Sequence, residues 1–350
     1  MKKITFLIGS LGGGGAERVT IALGNHFCNN GYEVYFIAFS KENNNYEVDS
    51  KIKISFLPDN IGKTAIVYRI KELKKLLENQ APDYVISLGL GYQYLILGNL
   101  LNKYKFILSE RNAPQYFYKW YEKIYVKYCY KKAYKVVFQT KDAQEYYGKI
   151  IKEKSKVIAN PLTSSLPIPY EGVREKRIVA VNRLSPQKNI FMLLKAMKKV
   201  FSEFPEFCLE IYGKGEQKEM LVRYSEELGI ADNVKFMGQI ANVHSHIVNA
   251  SMFVSSSNFE GMSNSMLEAM AIGLPVVCTD CPIGGARMVI RNNINGILTP
   301  VGDDRVFADE IMNLLKNPEK AEKLGKKATE LRYQLSVETI AEEWEELLES

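Results

Sequence analysis

The chain has 350 residues, of which 46% are hydrophobic and 25% charged, a length and balance that suit a globular protein of about two domains. No apolar run approaches the ~18 residues of a spanning helix, and five scattered cysteines, an odd number, fit a cytoplasmic home. Charge is uneven: residues 1–165 carry 25 Lys+Arg against 14 Asp+Glu, a net of +11, and the remainder 21 against 26, a net of −5. The two halves should therefore meet different partners.

In chain order, Met1-Lys2-Lys3 precedes an apolar run too short for a signal peptide, and residues 4–8 read as a first strand. An amphipathic helix over 16–28 follows, then strands at 33–39 and 53–56 and a Lys/Leu-rich helix over 64–78. A strand at 84–87, a helix over 92–101, a strand at 105–109, a long helix over 115–134 and a strand at 136–139 complete the half. Alternation of this kind predicts a parallel sheet with helices on both faces.

Pro161, Pro167 and Pro169, with Thr163-Ser164-Ser165 between them, mark a linker. The expected domains are 1–165 and 166–335, with 336–350 a helix packing back toward the first domain. In the second half, strands are expected at 177–181, 208–212, 234–236, 250–255 and 275–278. Helices are expected over 190–201, 218–228, 243–249 and 266–270. Two sheets of one type predict a cleft between them, with ligands beyond the carboxyl ends of the strands. Cys278-Thr279-Asp280-Cys281 is a lone pair ending an apolar strand, which favours buried thiols over zinc or redox chemistry. His244 and His246 suggest no metal set.

Three loops after strands carry the chemistry. The first, Gly9-Ser10-Leu11-Gly12-Gly13-Gly14-Gly15, opens a helix and lets backbone approach a ligand. It fits no dinucleotide fingerprint, and no acidic residue ends the second strand. The second, Asn182 to Asn189, carries Arg183 and Lys188, a fork and a point charge that can reach one phosphate, or two solvated cations. The third runs from Glu260 through Gly261, Met262, Ser263, Asn264 and Ser265 to Glu268 at a helix start. A helix N-terminus suits an anion, and two flanking carboxylates suit neutral hydroxyls, which together describe a nucleotide-sugar pocket. The alternative is that Ser265 and Glu268 form only a capping box and that Glu260 is solvated.

Taken together these loops resemble glycosyltransferase family 4, retaining enzymes of the GT-B fold with two facing, doubly wound Rossmann-like α/β domains. Gly14-Gly15-Ala16-Glu17-Arg18, Asn160-Pro161, Asn182 to Asn189, Gly213-Lys214-Gly215, Glu260 to Glu268 and Asn295-Gly296 match that family's motifs in order over nearly the whole chain. Asn182 stands where Gly is usual, Met288 where Glu is commoner, and Arg111 where a His often follows Ser-Glu.

The resemblance implies that Arg183 and Lys188 hold a donor diphosphate with Gly14 and Gly15, that Glu268 holds the ribose, and that Glu260 binds the transferred sugar. Gly261 to Ser265 would supply backbone donors, and Glu110, Arg111 and Asn112 are acceptor-side candidates. Glu260, Arg183 and Lys188 are the expected catalytic residues. No D-x-D sequence occurs, so a metal-independent enzyme without cofactor is expected, the cations stabilising the leaving diphosphate.

Residues 119–141 hold seven lysines and one acid, interleaved with Trp120, Tyr121, Tyr125, Tyr128, Tyr130 and Tyr134. Such a helix suits an anionic membrane surface at the inner face of the cell membrane, or is a solvated face with snorkelling stems. No nucleic-acid module accompanies it. The expected reaction moves an N-acetylhexosamine or hexose from a UDP donor to a lipid-linked oligosaccharide or surface polysaccharide. A sugar-nucleotide epimerase and a non-catalytic glycan-binding protein are the rivals.

Overall fold

The computed structural model describes all residues except 13, 42–46, 59–64 and 164. Gly13, the expected start of the second helix at Thr64, and Ser164 of the linker therefore lie outside the described residues. The chain divides into two compact units, one of Met1–Pro161 with Val337–Ser350 and one of Leu162–Ser336.

In the first unit, β1 (Lys3–Ile8), β2 (Glu33–Ala38), β3 (Lys53–Phe56), β4 (Tyr84–Leu88), β5 (Phe106–Glu110), β6 (Lys135–Phe138) and β7 (Ser155–Val157) form one sheet. Among the described residues it has seven strands in the order β3-β2-β1-β4-β5-β6-β7, every pair parallel. The central strands are buried along nearly their whole length and mostly apolar, as strands covered by helices on both faces are. On one face Phe6 of β1 meets the ring of Phe36 edge-on at 5.7 Å and that of Phe27, from the helix Gly15–Asn29, at 6.2 Å. The C-terminal helix Val337–Glu349 belongs to this unit, burying Ile340, Ala341, Trp344, Leu347 and Leu348. It is pinned by Tyr84, whose hydroxyl donates to the Leu348 carbonyl at 2.6 Å, and by Lys156, 2.7 Å from Glu346.

The second unit holds β8 (Glu175–Val181), β9 (Cys208–Tyr212), β10 (Val234–Gly238), β11 (Ala250–Ser255), β12 (Val276–Thr279) and β13 (Ile297–Thr299). Among the described residues these six form a parallel sheet in the order β10-β9-β8-β11-β12-β13. Ile178 and Ala180 of β8 share a core with Leu193, Met197 and Val200 of the helix Ile190–Glu203 and with Phe307 and Ile311.

In both sheets the strand order reverses direction once, between β1 and β4 and between β8 and β11. In doubly wound sheets ligands bind beyond the strand ends at that reversal, where adjacent loops leave in opposite directions.

Two expected helices are corrected. The one over 115–134 is two, Pro114–Phe117 and Trp120–Lys132. Tyr118 lies extended between them with its hydroxyl drawn to Glu110 at 3.1 Å, and Glu122 accepts from the Lys119 N–H at 2.9 Å to start the second. The one over 92–101 stops at Leu97, because Asn99 takes a left-handed conformation at φ 51°. No helix among the described residues is long and apolar enough to cross a membrane.

Candidate active site

The two loops that leave the second sheet at its strand reversal are those that carry Arg183, Lys188 and Glu260. They are laced together by backbone and amide bonds. Asn258 N–H donates to the Gln187 carbonyl at 2.8 Å, and the Gln187 side chain donates to the Phe259 carbonyl at 3.0 Å. Asn189 donates to the Asn258 side-chain oxygen at 2.8 Å, and Ser256 Oγ donates to the Lys188 carbonyl at 2.9 Å. Such lacing fixes the backbone under each charged side chain, which is how a loop site attains rigidity.

Lys188 and Glu260 form a close ion pair whose side chains are 12% and 20% exposed. An ammonium has three donors, so Lys188 can keep Glu260 and still serve a phosphate oxygen. Arg183 differs: its guanidinium is exposed and makes no side-chain hydrogen bond or ion pair among the described residues. It is a cation available to an anion.

Glu260 is held from a third loop as well. Its N–H donates to the Pro282 carbonyl at 2.7 Å, and its carbonyl accepts from Ile283 N–H at 3.1 Å. Next to it Gly261 and Gly285 pack backbone against backbone, so closely that a side chain at Gly285 would overlap the Gly261 carbonyl. Gly261, Met262 and Ser263 are buried, while Asn264 and Ser265 are half-buried. The helix Asn264–Ala271 starts from Ser263 with no side-chain cap, which leaves its positive end without a local carboxylate.

Glu268 is buried, 4% exposed, and does not cap that helix. The capping-box reading fails because the helix already starts at Asn264, with Ser263 as its N-cap, so Glu268 lies a turn inside it. Its carboxylate Oε2 instead lies 2.7 Å from His244 Nε2. Sequence reasoning weighed His244 only as a metal ligand and gave it no other role; it belongs to a separate short helix, Val243–Ile247. Beneath Glu260 lie Cys278 and Cys281, both free and buried. Burial pushes the Cys281 thiol up to about 12 and Cys278 also upward, so neither is a thiolate nucleophile near neutral pH.

The first unit presents its own residues at the carboxyl ends of β1 and β5. Gly14 is the N-cap of the helix Gly15–Asn29, half-buried, with Gly15 exposed. The Glu17 carboxylate lies so close over Gly14 that a side chain there would overlap it.

At the end of β5, Glu110 is 1% exposed. Its Oε1 accepts from the N–H groups of Arg111 and Asn112 at 3.0 and 3.1 Å and from Tyr118 hydroxyl at 3.1 Å. Its Oε2 accepts from Tyr130 at 3.2 Å and Tyr147 at 2.7 Å. Burial raises its pKa, and the hydroxyl of Tyr147 leads the donors that oppose the shift. Glu110 is thus a buried clasp that holds the backbone of its two neighbours. Arg111 donates to the Asn160 side-chain oxygen, which also accepts from Gln139 at 2.6 Å, and burial lowers the Arg111 pKa to about 10. The ring of tyrosines around Glu110 carries no local sequence signal, since Tyr130 and Tyr147 lie 20 and 37 residues away.

Comparison with solved structures identifies the fold. HepE from Anabaena, in complex with UDP and glucose, superposes with a TM-score of 0.85 at 18% identity, with 100% of each chain covered. The fold is that of a GT-B glycosyltransferase, two Rossmann-like α/β units with parallel sheets. A model described as Glycosyltransferase Family 4 matches residues 13–165, and one described as Glycosyl transferases group 1 matches residues 170–331. The chain belongs to this glycosyltransferase family. It is 29% identical to an uncharacterized glycosyltransferase of Haemophilus influenzae over 99% of this chain and 100% of that one. It is 26% identical, over 99% of this chain and 98% of the relative, to a Campylobacter jejuni alpha-1,4-N-acetyl-D-galactosaminyltransferase whose named substrate is an undecaprenol-diphosphate-linked glycan.

Proposed function

We propose that the protein is a retaining transferase that moves an N-acetylhexosamine or hexose from a UDP donor onto a lipid-linked oligosaccharide or surface polysaccharide. The observation that carries this reading is the strand reversal of the second sheet. There an exposed Arg183, a Lys188–Glu260 pair and a helix start without a side-chain cap lie on laced loops.

Diphosphate is the leaving group of such a reaction. Its charge grows as the glycosidic bond breaks, and preorganised cations and a helix end lower the barrier most where charge develops. Arg183, Lys188 and the N–H groups of Gly261 to Ser265 take that role, so no metal ion is required in the proposal. Glu260 accepts hydroxyls of the transferred sugar, and Glu268 the ribose hydroxyls. In the first unit, Gly14 and Gly15 offer backbone to the donor, and Arg111 and Asn112 face the acceptor, with Glu110 holding their backbone. The Campylobacter relative's lipid-linked acceptor and the UDP seen in HepE support the substrate classes.

The exposed Trp120–Lys132 surface suits an anionic bilayer at the inner face of the cell membrane, where a lipid-linked acceptor resides. The test is a panel of UDP- and GDP-sugars with short lipid-linked glycans as acceptors, in EDTA. UDP release that requires an acceptor, with an anomeric configuration kept in the product, supports the reading. Acceptor-independent interconversion of the donor sugar would instead identify an epimerase.

A further inference from the structure

Glu268 must present its carboxylate to a diol, and one of the partners that hold it comes from a distant segment. The chain leaves β10, an edge strand, and crosses the sheet to reach β11 beside β8. The short helix Val243–Ile247 is on that crossover. It brings His244 over the helix Asn264–Ala271, with Nε2 2.7 Å from Glu268 Oε2. Both side chains are largely buried, at 16% and 5% exposed.

We infer that His244 is a positioning residue for the nucleotide's ribose, acting through Glu268. The inference rests on the proposed ribose contact of Glu268 and adds the residue that orients it. A carboxylate presents its lone pairs to a cis-diol in only part of its orientations. An imidazole N–H on Oε2 selects one orientation and partly offsets the desolvation of the charge, so Glu268 is preorganised before the nucleotide arrives. His244 makes no hydrogen bond or ion pair to Arg183, Lys188 or Glu260 among the described residues. Its influence should be confined to the ribose.

UDP and 2′-deoxy-UDP, titrated into the full chain by calorimetry, read this out. The wild-type protein should bind UDP about tenfold or more tighter than 2′-deoxy-UDP, the loss expected when a buried acceptor is left without its hydroxyl. His244→Phe should lower UDP affinity by about tenfold while changing 2′-deoxy-UDP by less than about twofold, so that the discrimination collapses. His244→Gln, which keeps an N–H donor, should restore most of it, and it is the variant that decides if His244→Phe does not fold. In transfer assays the KM for the donor should rise, with kcat at saturating donor close to wild type.

Equal losses for both nucleotides, or undiminished discrimination in both variants, would overturn the role of His244 and leave the ribose contact standing. A wild-type protein that does not distinguish UDP from 2′-deoxy-UDP would overturn the ribose reading of Glu268 itself, and the inference with it.

Discussion

Arg183 and Lys188 sit on one loop, yet their environments predict different consequences when each is removed. Both substitutions to Ala should lower kcat/KM by a factor of ~100 or more, because each deletes a charge-assisted contact that strengthens as the diphosphate leaves. Only Lys188→Ala should also lower the melting temperature, since it strands the half-buried carboxylate of Glu260, whereas the Arg183 guanidinium is exposed and has no hydrogen-bond or ion-pair partner among the described residues. Near-normal turnover in both variants would remove the diphosphate assignment.

The carboxylates should divide along the same lines. Glu268→Ala is expected to weaken UDP binding, and Glu260→Ala to lower turnover with UDP affinity little changed. Both cations and both carboxylates could be read from the spacing of charged residues after strands. The Lys188–Glu260 pair and the His244–Glu268 contact could not, because their partners lie 72 and 24 residues apart and meet only through the order of the strands.

At the scale of elements, the loop after β5 and the helix Trp120–Lys132 carry separate predictions. Five donors converge on the two oxygens of Glu110. Glu110→Gln sets an amide NH₂ among those donors and should cost about 1–3 kcal/mol of stability by denaturant titration. Burial holds the Glu110 pKa above its ordinary 4.5, so the folded chain binds this proton more tightly than the unfolded one. The linked stabilisation is full below the ordinary value and lost as pH rises through the folded value. The stability gap between wild type and Glu110→Gln should therefore widen as pH falls through that window. A gap that narrows instead would mean the carboxylate is better solvated than its burial implies.

The helix after Tyr118 buries Val126, Cys129 and Tyr130, and it leaves Trp120 76% and Ile124 64% exposed beside Lys127 and Lys131. Aromatic and basic residues side by side suit the headgroup region, each lysine contributing about 1 kcal/mol near an anionic surface. The protein should sediment with vesicles containing anionic lipid, less in high salt, and less again when Lys123, Lys127 and Lys131 are changed to Glu. Equal binding to neutral vesicles, or none to anionic ones at low salt, would reduce this helix to a solvated face. The run of lysines and aromatics was plain in the sequence. The break at Tyr118 was not, because it is caused by a hydroxyl reaching a carboxylate eight residues back.

For the whole molecule, the alternation of apolar strands and amphipathic helices was enough to predict two parallel α/β sheets, since parallel strands need a crossover between them. Strand order was not legible, because pairing depends on which apolar faces meet after the helices pack. Yet strand order is what makes the site: reversing direction between β8 and β11 sets the Arg183 loop beside the Glu260 loop. The central claim is that this reversal binds a nucleotide diphosphate through Arg183 and Lys188. Calorimetric titration of uridine, UMP and UDP into the wild-type chain and Arg183→Ala, in EDTA, tests it most directly. The account predicts that wild-type affinity climbs with each phosphate added, and that Arg183→Ala flattens the climb while leaving uridine unchanged. A variant that binds UDP as tightly as wild type would contradict it.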